Sequence, residues 1–165
     1  MIIRDATLGD AEEIRAIYNA EVLTGTATFD LEPRSSDEQR EWLTQRSGVH
    51  VVLVAVDPDT SAIMGFASLS PYKERAAYRT TVENSVYISE HHRGRGVGRG
   101  LLEALVQQAS EHGFHTVIAR IGGGDRNPGS IALHSSVGFE PIGVEREVGR
   151  KFGQWLDVNI MQLVL

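Results

Sequence analysis

The chain contains no cysteine. That removes disulfides, thiolate metal sites and a cysteine nucleophile together, and it leaves the fold independent of an oxidising compartment. Long apolar runs are missing too. No stretch approaches the roughly 20 residues that a membrane-spanning helix needs. The opening MIIRDATLGDAEEI has a short apolar run before charges begin, which does not read as a signal peptide. A basic surplus is also lacking. Sixteen Lys and Arg face 22 Asp and Glu, a net charge of −6, whereas nucleic-acid binders usually carry excess positive charge. Internal repeats, low-complexity tracts and linkers are absent. A cytoplasmic enzyme or binding protein is the expectation, with neither nucleic acid nor membrane as partner.

What remains is ordinary for a globular protein: 165 residues, 41% apolar and 23% charged, enough for one domain over residues 1–165 with a single sizeable core. Thr7 with Asp10, and Ser35 with Glu38, have the spacing of helix-start capping boxes. Ile14, Ile17, Tyr18 and Val22 follow the first at helical intervals. Residues 49–56, VHVVLVAV, form a β-branched run expected as a buried strand. DPDT makes a turn, and residues 62–70 return as the hairpin partner. Residues 81–89 and 115–121 read as further strands, 101–109 and 131–137 as helices, and the C-terminal stretches as a final strand pair. The order is strand, two helices, a three-strand meander, helix, strand, helix and two strands. This is a mixed α+β architecture: a twisted, mostly antiparallel central sheet flanked by helices.

The unusual stretch is HHRGRGVGRG (91–100), with four glycines and three arginines immediately before an apolar helical pattern. Amides at a helix N-terminus lack intrahelical partners and sit at the positive end of the dipole, so they donate readily to phosphate oxygens. Glycines let the main chain come close, and arginines add charge-assisted bonds. The string is neither a P-loop, GxxxxGK(S/T), nor the Rossmann GxGxxG. It is R-x-x-G-x-G, from Arg93 to Gly98.

That hexapeptide resembles the pyrophosphate loop of the GCN5-related N-acetyltransferase (GNAT) family. A second signature follows: Asn127, Ser130, Leu133, His134, Gly138 and Phe139 match N-x-x-(A/S)-x-x-L-(Y/H)-x-x-x-G-F. Three further stretches are similar to the phosphinothricin and methionine sulfoximine acetyltransferases within it. Residues 70–88 match their proline, aromatic and basic pair before T-x-E-x-S-V-Y-(V/I). Residues 148–162 match G-x-K-x-G-x-W-x-D-V, and 17–33 match their I-Y-N segment and loop. The resemblance covers nearly the whole chain. It implies the acyl-CoA N-acyltransferase fold, acetyl-CoA as donor, a free amino acid or similar small amine as acceptor, and a homodimer.

The resemblance also distributes roles. Glu83 is expected as the base that deprotonates the acceptor ammonium, whose pKa is roughly eight or higher. Counting by twos places Ser85 and Tyr87 on its face and Val82, Val86 and Ile88 on the other. The main chain of Val86, Tyr87 and Ile88 should pair with the pantetheine arm and supply an oxyanion donor. Arg93 and the residues Gly94, Arg95, Gly96, Val97, Gly98 and Arg99 should hold the pyrophosphate. Asn127 and Ser130 complete the cofactor set, Asn127 being also a turn-former before Pro128. His134 stands where many relatives carry a tyrosine that protonates the departing thiolate; a structural histidine is the competing expectation. Arg75 and Tyr78 match acceptor-lining positions, with Lys73, Glu74, Asn84 and Ser85 beside them and Phe29 as a cover. Arginine suits bidentate carboxylate binding. Lys151 and Trp155 fall either on the acceptor wall or in a dimer interface. His91, His92, His112 and His115 have no partner at ligand spacing, so no metal is expected. Acetylation of protein N-termini and a non-catalytic CoA-sensing module are the competing functions.

Overall fold

The computed structural model describes residues 1–46 and 48–165. Its elements are β1 (Ile2–Asp5), α1 (Ala11–Thr24), α2 (Ser36–Gln45), β2 (Val52–Val56), β3 (Ile63–Pro71), β4 (Thr81–Ile88), α3 (Val97–Glu111), β5 (Thr116–Gly122), α4 (Pro128–Ser136), β6 (Glu140–Lys151) and β7 (Gln154–Val164). Short 3-10 turns lie at Leu8–Asp10, Ala76–Tyr78, Glu90–His92 and Gly124–Arg126.

Local chemistry explains the starts of the helices. Ser35 Oγ accepts the Glu38 amide at 3.3 Å, and the Glu38 carboxylate accepts the Ser35 amide at 2.7 Å, so two orphan donors are satisfied reciprocally. Asp10 accepts from both the amide and the hydroxyl of Thr7, at 2.6 and 2.9 Å. It also takes both prongs of Arg4 at 2.8 Å, and Arg4 is the main reason its carboxyl is lowered to about 2. The apolar side of α1 is Ala11, Ile14, Tyr18 and Val22. Spacings of three and four keep these on one face.

All seven strands form one sheet in the order β1-β2-β3-β4-β5-β7-β6. Every pairing is antiparallel except β4 with β5. The sheet is therefore mixed and mostly antiparallel, as expected. On one face Leu101, Leu102, Leu105 and Ala109 of α3 pack on Ala67, Leu69, Val82 and Val117. Burying each of those leucines contributes roughly 1.5–3 kcal/mol. On the other face α1 and α2 cover β2 and β3 around Phe66, and the apolar cluster there ends at Tyr87. Register fixes which side chains share that second face. Phe66 pairs Tyr87, Ser68 pairs Ser85, and Ser70 pairs Glu83, without interruption from Gly65↔Ile88 to Pro71↔Val82. The parity counted along β4 holds.

One feature of this topology positions the candidate site. β4 and β5 pair only from Thr81↔Thr116 to Asn84↔Ala119. Both strands then continue, to Ile88 and Gly122, and they diverge. The sheet forks at Asn84, leaving an open strand edge inside the fold.

Candidate functional site

The fork opens into a groove of about 540 Å3. Its floor is Val86, Tyr87 and Ile88, and one bank is Arg93, Gly94 and Gly96–Arg99 at the mouth of α3. The other bank is Arg126–Ser130 with Leu133 at the mouth of α4, and Ile17 and Glu21 of α1 close the end. Gly94 and Gly96 have φ of +72° and +80°, a left-handed conformation that side-chain-bearing residues adopt at a cost. Gly96 caps α3, and the first helical bond runs from the Gly100 amide to Gly96 O at 3.1 Å. The amides of Val97, Gly98 and Arg99 are thus left facing outward, as at any helix N-terminus. Gly98 serves differently: a Cβ there would stand 3.2 Å from Leu133 Cδ2, so its bareness lets α4 lie close to α3.

Of the cofactor residues expected from the sequence, all but Arg95 line this groove. Arg95 is exposed outside it. Arg93 reaches across to α1, donating to Glu21 at 3.4 Å. Asn127 donates to Gly122 O and, at 3.3 Å, to Thr26 Oγ1, tying α4 to the loop after α1. Tyr87 contributes only backbone to the groove. Its ring packs on the opposite face, stacked on Phe66 at 5.3 Å and edge-on to Tyr18 at 5.1 Å, and burial raises its pKa.

The narrow end of the fork is lined by Asn84, Ser85, Arg120, Ser130 and His134. His134 is 4% exposed and Asn84 is 5% exposed. His134 Nδ1 lies 2.8 Å from Ser130 O, and its Nε2 lies 2.9 Å from Asn84 Nδ2. A carbonyl only accepts, so Nδ1 carries the proton and Nε2 accepts from the amide. Burial pushes the His134 pKa down, which keeps the ring in this neutral form. Asn84, expected beside the acceptor, thus turns its side chain to the α3–α4 face and orients His134. Among the described residues, Asn84 Oδ1 and His92 Nδ1 are buried atoms with no hydrogen-bond partner. One belongs to the narrow end of the fork and the other to the groove. Left-handed glycines before a helix mouth, an unpaired strand edge and two orphaned polar atoms together fit a long polar ligand with a phosphate at one end.

The opposite face carries Glu83. It is half-buried, and burial raises its pKa; Arg120 opposes that rise and Glu145 adds to it. Arg120 and Glu145 are the residues that sequence reasoning missed. They form a two-pronged ion pair, Arg120 Nη1 to Glu145 Oε1 at 2.9 Å and Nη2 to Oε2. Nearby, Tyr72 and Tyr78 meet edge-on at 5.6 Å, with the Lys73 ammonium 4.8 and 5.3 Å from their ring centres. Arg75 and Glu74 are exposed on the same segment. Phe29 is seated against main chain rather than free: a Cβ on Gly149 would meet its ring at 2.2 Å, and one on Gly122 at 2.9 Å. The loop bearing it is held by the I-Y-N segment. Tyr18 donates to Asp30 at 2.6 Å, and Asn19 bonds both the amide and the carbonyl of Arg34, at 2.9 and 2.8 Å. Lys151 is 4% exposed and donates to Thr28 O at 2.9 Å, so within the chain it anchors that loop. Trp155 is 58% exposed. Among the described residues no three His, Asp or Glu side chains cluster as a metal site would require, and no helix is long and apolar enough to cross a membrane.

Residues 3–160 match the family model described as an acetyltransferase (GNAT) domain. The chain belongs to the GNAT acetyltransferase family. The L-methionine sulfoximine/L-methionine sulfone acetyltransferase of Pseudomonas paraeruginosa is 37% identical over 163 residues, 99% of this chain and 94% of that protein. A phosphinothricin acetyltransferase from Sinorhizobium meliloti, solved with acetyl-CoA, superposes with a TM-score of 0.94 at 40% identity, over 99% of this chain and 88% of that one. A structure described as a ribosomal-protein-alanine N-acetyltransferase, from Brucella melitensis, superposes at 0.95 with 38% identity over all of both chains. The protein is an acetyl-CoA-dependent N-acetyltransferase, and the forked groove with its glycine loop is the part of it that fits acetyl-CoA.

Proposed function

We propose that this enzyme acetylates the α-amine of a small amino-acid-like acceptor, of the methionine sulfoximine, methionine sulfone or phosphinothricin type, by direct attack in a ternary complex. The observation that carries the reading is Glu83: a half-buried carboxylate with a raised pKa, on the sheet face opposite α3, beside the fork. A carboxylate there has a use. The acceptor arrives as an ammonium, which has no lone pair, and Glu83 takes its proton directly or through a water. Acetyl-CoA supplies an activated thioester. The amine nitrogen forms its bond to the acetyl carbon as the carbon–sulfur bond breaks; the sulfur leaves as thiolate, and the second proton that the nitrogen sheds passes to that thiolate or to solvent. A main-chain amide from Val86–Ile88 polarises the carbonyl oxygen. Arg75 and Tyr78 receive the acceptor carboxylate and side chain, with Lys73, Glu74 and Ser85 at the rim. His134, whose only ring proton goes to Ser130 O and whose other nitrogen accepts from Asn84, is a structural residue here rather than a proton donor.

The relatives above support the acceptor class. The Brucella structure favours a second reading, acetylation of a protein N-terminal alanine. Turnover with acetyl-CoA decides: methionine sulfone and phosphinothricin are expected to be acetylated, and an alanyl peptide not. Faster turnover of the peptide would reverse the assignment. We also propose the cytoplasm as its compartment, because the reaction consumes acetyl-CoA, and a homodimer built on β6. Ile142, Val144 and Val148 are exposed along that edge strand, and exposed apolar edges invite pairing. Sedimentation at twice the monomer mass is the expected result.

A further inference from the structure

We infer that Glu145 acts as a clamp on Arg120, holding both prongs of the guanidinium so that this cation does not pair with Glu83. The inference rests on Glu83 being the base. It concerns positioning residues, not groups that touch the acetyl transfer.

The argument starts from register. Glu83 lies opposite Ile118 on β5, and Arg120 is the next residue on the same face of that strand. Arg120 in turn pairs Ile160 on β7, and Glu145 pairs Val158 two residues along. The three charged side chains therefore share one face of three neighbouring ladders. An arginine between two carboxylates offers its two-pronged edge to one of them. Here it goes to Glu145, through two hydrogen bonds.

The backbone of β6 is shaped to put Glu145 there. Glu145 opposes Val158, but Gly149 opposes Leu156, so Arg146, Glu147 and Val148 bulge out opposite Asp157 alone. Glu147 sits at φ +53°, a conformation that costs energy for a residue with a side chain. Its amide donates to Asp157 Oδ1 at 2.8 Å. Bulges of this kind re-aim side chains next to active sites. Asp157, the acid of the C-terminal W-x-D-V stretch, is the pin that keeps this one in place. The other groups in the neighbourhood are Lys73, which faces Glu145, Tyr72, which faces Arg120, and Ser70 opposite Glu83 on β3. None of these is a second cation on Glu83. The raised pKa of Glu83 agrees with an arginine already engaged elsewhere. A carboxylate beside a free arginine would instead fall by about one to three units and become a poorer base.

The test is the pH profile of kcat/KM for methionine sulfone at saturating acetyl-CoA, in four proteins: wild type, Glu145→Gln, Arg120→Gln and the double variant. The acceptor's own ionisation is common to all, so differences between proteins report the enzyme. Glu145→Gln is expected to move the acidic limb down by about one unit or more, with a lower plateau. Arg120→Gln and the double variant are expected to move it up and to recover the plateau. A limb that stays put in Glu145→Gln, with the protein folded by circular dichroism, overturns the clamp. So does a loss in Glu145→Gln that the second substitution does not relieve. Glu83→Gln is the control for the underlying reading. Wild-type turnover in Glu83→Gln rejects the base itself, whereas strong dependence on Glu83 with an unmoved limb rejects only the clamp.

Discussion

The groove under α3 and the floor around Glu83 lie on opposite faces of the same sheet, yet they are built from different material. The groove is main chain: two left-handed glycines, a helix mouth and the bare edge of Val86–Ile88. The floor is side chains: Glu83, Arg120, Glu145 and the Tyr72–Lys73–Tyr78 stack. A backbone site tolerates side-chain replacement but not a change of dihedral angle. A side-chain site behaves the other way round. Substitutions chosen from each class sharpen that contrast or break it.

The largest effect is expected at the floor. Glu83→Gln keeps the shape and removes the base, so kcat should fall by roughly 10²–10⁴-fold, most at low pH where more of the acceptor is protonated. The acetyl-CoA dissociation constant, measured by calorimetry, should stay within about twofold. An unchanged kcat would remove the main support for the acceptor site. Next comes the groove. Gly96→Val forces a branched residue to φ +80°, at a cost of order 1–3 kcal/mol, and acetyl-CoA should bind roughly ten- to a hundredfold more weakly. Arg95→Ala, a larger change in charge but one that leaves the backbone free, should weaken binding by less than about threefold, because Arg95 is exposed and does not line the groove. If the two variants exchanged rank, the backbone account of the groove would be wrong.

The same contrast explains which features are legible in the sequence. Element order, the capping boxes at Thr7 and Ser35, and the glycine loop all act within a few residues, so their signals survive in the string. Parity along β4 survived too, because its pairing with β3 has no bulge. Arg120 and Glu145 were invisible for the opposite reason: they are 25 residues apart and meet only because β7 runs between β5 and β6 and a bulge re-aims one of them. Asn84 was assigned by its neighbours to the acceptor, but strand alternation sends it to His134. Lys151 stood within a motif that pointed to a wall or an interface, and burial makes it an anchor for the Thr28 carbonyl.

Between the two regions lies the loop that carries Phe29. Gly149 lies where a methyl group would overlap the Phe29 ring at 2.2 Å. Gly149→Ala should therefore cost about 1–3 kcal/mol through overpacking, seen as a lower melting temperature. It should raise KM for the acceptor severalfold while leaving acetyl-CoA affinity near wild type. Equal losses for both substrates would mean that the loop serves the groove as much as the floor.

The smallest effect concerns His134, a side chain on the backbone side of the comparison. Its neutral ring donates to Ser130 O and accepts from Asn84, and burial lowers its pKa below the usual 6.5. The sign follows from proton counting. Below about pH 6.5 the unfolded chain begins to protonate this histidine while the folded one does not, so folding loses stability as pH falls, until the folded pKa is passed. Above that window the group contributes no pH dependence. Urea midpoints for wild type and His134→Gln, compared at pH 7.5 and 5.5, isolate the effect, because the other five histidines are common to both proteins. Wild type should lose more stability on acidification than the variant, by up to about 1.4 kcal/mol for each unit by which the pKa is depressed. Parallel losses would mean that the ring is free to take a proton in the folded enzyme, which would return His134 to the list of groups able to give one to the departing thiolate.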